Sequence, residues 1–197
     1  MTWLILGLAI FLGVHSVRIV ADDWRTRTIA ARGAGMWKGA YTALSVAGLM
    51  LIIWGYGMAR QQPVVLWSPP TAMRHVAALL TLISFVLLAA AYVPGNGIKA
   101  RVNHPMVAGV KVWAFAHLLA NGTLADVLLF GSFVLWAVLN FKAARGRDRA
   151  AGTTYPAGKT LPTLITLVLG VLAWAVFAFW AHGELIGVRP FGGMASL

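Results

Sequence analysis

The sequence predicts an all-α integral membrane protein, a six-transmembrane-helix bundle with both termini on the non-cytoplasmic side. Three observations predict it. Of 197 residues, 60% are apolar and only 11% are Asp, Glu, Lys or Arg, with a mean hydropathy of +0.79. A soluble domain carries about 25% charged residues. So few charges cannot solvate the surface of a globule this size, so the apolar surface faces lipid. Second, six continuous apolar runs approach the roughly 20 residues that cross a hydrocarbon layer. Third, 16 Lys and Arg against 5 Asp and Glu give a net charge of +11, and the basic residues fall mainly between the runs. That placement marks membrane topology and excludes a nucleic-acid footprint.

The runs occupy residues 3–20, 38–59, 71–93, 105–122, 124–141 and 161–182. The first is expected to stay on the chain as a helix, because no basic residue precedes Arg18 and no small-residue cleavage pattern follows. All six are uninterrupted, whereas a transmembrane β-strand would alternate apolar and polar residues. Turn chemistry lies between them at Gln61-Gln62-Pro63, Pro69-Pro70, Pro94-Gly95-Asn96-Gly97 and Asn121-Gly122. The tight Asn121-Gly122 turn predicts a helical hairpin of spans four and five, and residues 152–162 read as a flexible linker. The whole chain, 1–197, reads as a single domain. Twelve of the 16 basic residues fall in the odd-numbered connections, while only Arg60, Arg74 and Arg189 fall on the opposite side. This places the odd connections in the cytoplasm.

With no cysteine, disulfides, thiolate nucleophiles and thiolate-held clusters are excluded. The five histidines are then the informative ionisable set. His15 and His117 lie well inside apolar runs, while His75, His104 and His182 lie near span ends. Ionisable groups within a membrane are costly and mark interior sites. Two neutral imidazoles on different helices of an apolar, cysteine-free bundle suit axial ligation of a b-type haem iron. Zinc would want a third or fourth ligand, and no carboxylate is placed to complete a set. Arg18, three residues after His15 on the same helical face, is within reach of a haem propionate, though a snorkelling topological charge reads the same way. Trp113, Gly109 and Pro105 precede His117 at successive i−4 steps, a stripe that admits close approach of a macrocycle or of another helix. His104 and His117 are 13 residues apart, roughly 20 Å along a straight helix, and so cannot grip one haem together. Burial pairs His15 with His117. Depth along the spans instead pairs His117 with His75 or His182, and His15 with His104.

Several stretches resemble the NnrU family across nearly the whole chain. They are His15-Ser16-x-Arg18, Trp54-Gly55-Tyr56-Gly57, Tyr92-Val93-Pro94-Gly95-Asn96, His104-Pro105-x-x-x-Gly109, Trp113-x-x-x-His117-x-x-x-Asn121-Gly122 and Leu185-Ile186-Gly187-Val188. The family comprises bacterial membrane proteins linked by name to denitrification and nitric oxide metabolism, together with the plant zeta-carotene cis-trans isomerase, a haem b protein. The resemblance implies a multi-pass protein of the bacterial inner (plasma) membrane, with haem b as cofactor and His15 and His117 as its axial ligands. The isomerase's alternative cysteine ligand falls on Ala114 and a further functional histidine falls near Tyr56, so a cysteine-based ligand switch has no residue here. The His-Pro-x-x-x-Gly segment is also similar to isoprenylcysteine methyltransferases, but no matching methyl-donor site accompanies it.

The sequence thus points to a haem-dependent redox or nitric-oxide-responsive protein, or an isomerase-like enzyme on a hydrophobic substrate. The haem would be held by His15 and His117, flanked by Arg18 and Trp113, with His75, His104 and His182 as alternate ligands. A second reading is a non-catalytic membrane partner in the assembly of a nitrite or nitric oxide reductase. A third is lipid, polyene or quinone chemistry in a cavity rimmed by Trp54, Trp67 and Trp113, tryptophans that the interfacial aromatic belt also explains. Membrane lipid is the partner common to all three.

Overall fold

The computed structural model describes residues 1–191. These are helical almost throughout: α1 (Thr2–Val20), α2 (Asp22–Arg32), α3 (Ala34–Ala59), α4 (Ala72–Tyr92), α5 (Gly97–Val102), α6 (Pro105–Ala120), α7 (Leu124–Ala150), α8 (Thr160–Val176), a π-helical turn (Phe177–Ala181) and α9 (His182–Ile186). Among the described residues, α1, α3, α4, α7 and the continuous helix Thr160–Ile186 are long and apolar enough to cross a membrane. The fourth expected span is the shorter apolar helix α6, which begins at Pro105 and ends where Asn121 turns extended.

Burial follows the logic of lipid rather than water. Many covered positions are small or weakly polar: Gly7 on α1, Gly48 and Gly55 on α3, Ser84 and Ala90 on α4, Ala108 and Gly109 on α6, and Thr166 and Gly170 on α8, beside a few large ones, Leu4, Leu8, Ile52, Leu129 and Phe130. Large side chains such as Leu164, Val168, Val171 and Leu172 are exposed. With no hydrophobic drive between helices in lipid, close backbone approach and interhelical hydrogen bonds hold a bundle together.

The described residues form two compact units, residues 1–68 with 122–144, and residues 69–121 with 145 onward. In the first unit α1 packs on α3 through glycine. A Cβ on Gly7 would lie 2.6 Å from the Ile52 amide nitrogen, and one on Gly48 would lie 2.8 Å from that of Phe11. Residues 64–67 pair with 122–124: Leu66 and Trp67 donate their N–H groups to the Gly122 carbonyl at 2.8 and 3.1 Å, and Leu124 donates to Val64 at 2.8 Å. Gly122 is needed for room, since a Cβ there would strike the Trp67 carbonyl. The start of α7 is fixed by Asp126, which accepts the Thr123 N–H at 2.9 Å, the Thr123 hydroxyl at 2.6 Å and the Tyr56 hydroxyl at 2.6 Å. The backbone N–H of Asp126 returns a bond to Thr123 Oγ1 at 3.3 Å, giving the reciprocal form of a capping box.

In the second unit α4 packs against both α6 and α8. Ser84 donates to the Gly109 carbonyl at 2.8 Å, and the Trp174 indole donates to Thr81 Oγ1 at 3.2 Å. Asn96, buried in the turn after α4, donates to the Ala90 carbonyl at 2.9 Å and accepts the Lys99 N–H at 2.7 Å.

Two features differ from the sequence expectation. Residues expected to connect the first two spans carry α2, whose Asp22 and Asp23 suit the positive end of a helix and whose Arg32 suits the other end. Helix α7 outlasts the apolar run 124–141 by continuing through its polar end to Ala150.

A histidine-bearing cavity as the candidate functional site

The second unit carries a partly open cavity of about 230 Å³ where α4 begins and α6 and α8 end. Its apolar walls include Phe85, Trp113, Trp174, Phe177 and Phe191, and its polar lining consists of Arg74, Thr81, His117, Asn121, His182 and Arg189. Among the described residues, no acidic side chain lines it.

His117 reaches the cavity from the last turn of α6. Its Nδ1 lies 2.8 Å from the Trp113 carbonyl, one turn back, and the Trp113 ring centroid lies 5.0 Å from the imidazole. A carbonyl only accepts, so Nδ1 carries the hydrogen and the lone pair is on Nε2, the nitrogen a metal would take. The stripe of residues behind His117 therefore has a specific use, because the Trp113 backbone sets the tautomer. Asn121 Nδ2 donates to the His117 carbonyl at 2.8 Å, closing the helix end.

His182 arrives by a different device. The π-helical turn Phe177–Ala181 adds a residue to the helical cycle just before it, and such insertions re-aim side chains and recur at functional sites. Gly187 then adopts φ +73°, the left-handed conformation glycine accepts without a Cβ penalty, and ends α9. The chain doubles back so that Val188, Arg189, Pro190 and Phe191 line the cavity. Phe191 stacks on Phe179 at 4.8 Å, and His182 Nδ1 bonds the Val188 carbonyl at 2.6 Å. His182 thereby holds the same tautomer as His117.

His15 belongs to the first unit. Its Nδ1 bonds the Phe11 carbonyl at 2.7 Å, again one turn back, which leaves the lone pair on Nε2. Phe11 stacks on its ring at 4.2 Å, with Tyr41 at 5.1 Å and Trp136 edge-on at 6.1 Å. Arg18 pairs with Asp22 at 3.8 Å across the break between α1 and α2.

Of the alternates, His104 bonds Asp148 through Nε2 at 2.7 Å, and the Tyr155 hydroxyl donates to the same carboxylate oxygen at 2.8 Å. Burial and the Asp148 carboxylate push the Tyr155 phenol above its ordinary value. His75 is exposed on α4 and is not among the residues lining the cavity. The rim expected from Trp54, Trp67 and Trp113 divides between the units: Trp54 is exposed and stacks on Trp3 at 5.1 Å, Trp67 packs against Gly122, and Trp113 alone of the three lines the cavity. Among the described residues, no group of three or more His, Cys, Asp or Glu is placed to hold a metal ion.

Sequence reasoning gave Arg74 and Arg189 only a topological role and gave Trp174, Phe177 and Phe191 none. A signal for the arginines was present. They are two of the three basic residues on the side that the charge count assigns away from the cytoplasm, where a basic side chain has no topological use.

Fold and site together define a multi-pass helical membrane protein with a histidine-bearing cavity inside one of its units. The family model described as NnrU protein matches residues 3–190, and the chain belongs to the NnrU family. No curated protein and no solved structure matches it.

Proposed function

We propose that this chain is a haem b-binding protein of the bacterial inner membrane, acting in redox or nitric oxide metabolism, with His117 as one axial ligand. His15 is the second ligand that the family resemblance implies, and His182 is its competitor from within the cavity. One observation carries the reading. In His117, as in His15, a backbone carbonyl one turn back accepts Nδ1–H, which places the imidazole lone pair on Nε2, the nitrogen a metal would take. The residues fit a b-type haem in three respects. The candidate donors are imidazoles, the cavity walls are aromatic, and a bis-imidazole site asks for only two protein ligands. When bound, such a group supplies reversible one-electron redox chemistry and affinity for diatomic gases.

The chain's own residues would orient and enclose. The Trp113 carbonyl fixes the His117 ring, Asn121 secures the end of α6, and the aromatic walls supply an apolar lining. The same walls would accept a polyene or another hydrophobic substrate, the isomerase-like variant of this reading. Protein purified in uncharged detergent is expected to show a Soret band that shifts on reduction and on adding carbon monoxide or nitric oxide. A colourless protein that co-purifies with a reductase subunit would instead favour an assembly partner of a nitrite or nitric oxide reductase.

A further inference from the structure

We propose that the cavity of the second unit binds an amphiphilic anion, whose carboxylate or phosphate head is held by Arg74 and Arg189 and whose apolar body lies among the aromatic walls. The proposal stands whether or not haem is the occupant. Four observations converge on it. Among the described residues, all charged or chargeable lining side chains are basic or imidazole, namely Arg74, His117, His182 and Arg189, and no carboxylate side chain is among them. The remaining lining is chiefly apolar, including two tryptophans and three phenylalanines. An anion with an apolar tail complements both halves of that surface, and guanidinium forks match carboxylate and phosphate oxygens. At about 230 Å³, the space suits one chain or part of a flat ring rather than the two tails of a phospholipid.

Third, the two arginines arrive from opposite ends of the unit's sequence. Arg74 stands in the first turn of α4, while Arg189 is brought in by the reversal at Gly187. Fourth, both lie on the side where the charge count keeps only Arg60 besides them. A basic residue retained there against the topological bias needs another use.

The anionic head has two sources, the propionates of a porphyrin or the head group of a free lipid acid. Equilibrium binding to the purified full chain in uncharged detergent separates them. One arm compares haem with its dimethyl ester, and the other compares oleate with oleyl alcohol. The charged member of at least one pair is expected to bind roughly tenfold tighter or more, the scale of a charge-assisted hydrogen bond, and this preference should fall with added salt. Preference in the first arm identifies the porphyrin, and preference in the second identifies a lipid acid. Arg74→Gln combined with Arg189→Gln is expected to abolish the preference while leaving the uncharged probes bound as before. Equal binding of charged and uncharged members in both arms of the wild-type measurement overturns the proposal without recourse to any variant. So does a double variant that keeps the preference. A colourless protein that favours oleate upholds this inference while removing the haem reading.

Discussion

At the scale of single residues, the backbone decides which histidine nitrogen is offered to a ligand. His15, His117 and His182 all have Nδ1 bonded to a main-chain carbonyl, so tautomer alone does not choose among them. What separates them is place: His117 and His182 line one cavity in the second unit, and His15 sits among Phe11, Tyr41 and Trp136 in the first. Removing either candidate for the second position should convert a six-coordinate low-spin iron into a five-coordinate high-spin one only if that residue is the ligand. His15→Ala is expected to give the high-spin absorption and electron paramagnetic resonance signals if the family pattern holds here. If His15→Ala stays low-spin and His182→Ala becomes high-spin, the haem lies wholly within the second unit. The sequence exposed both possibilities, because burial singled out His15 with His117 and depth paired His117 with His75 or His182. It was silent on the choice, since nothing local to His15 or His182 records which unit its neighbours join.

At the scale of elements, the helices were legible because lipid requires long apolar runs, and each run became a helix near its expected position. Less legible were elements whose cause is not hydropathy. Helix α2 is polar and short, signalled only by Asp22 and Asp23 at one end and Gly33 at the other. The π-helical turn falls in Phe-Ala-Phe-Trp-Ala, which holds neither proline nor glycine to mark a distortion. Helix contacts rest on small residues, and here the glycines sort into two kinds that sequence cannot tell apart. A Cβ on Gly55 would run into the backbone of Trp3 and Leu4, whereas Gly57, two residues on, has nothing within 4 Å. Gly55→Leu should therefore wedge α1 from α3 and cost about 1–3 kcal/mol, the usual range for overpacking. Gly57→Leu should be close to neutral. Thermal unfolding of both variants in detergent checks this, and equal midpoints would refute the packing account of the α1–α3 seam.

At the scale of the whole molecule, membrane residence accounts for both the composition and the burial pattern, in which many covered positions are small and most large apolar side chains face outward. Orientation follows from charge alone: the odd connections, rich in Arg and Lys, are expected in the cytoplasm. The absence of cysteine makes this directly measurable, since a single introduced thiol is the only one present. Gln61→Cys should react with a membrane-impermeant maleimide in intact spheroplasts, and Gly146→Cys only after the membrane is opened. The opposite labelling pattern would invert the topology and place the cavity mouth, with Arg74 and Arg189, on the cytoplasmic side. The cavity itself was partly legible. Trp113, His117 and His182 were candidates from sequence, but the return of residues 188–191 depends on one left-handed glycine and carries no hydropathy signal.

The central claim, that His117 holds a haem, is tested most directly by the haem content per polypeptide of purified wild type and His117→Ala. The account expects pigment in stoichiometric proportion to the wild-type chain and its loss from the variant. A folded His117→Ala protein that retains stoichiometric haem with an unchanged spectrum would contradict it.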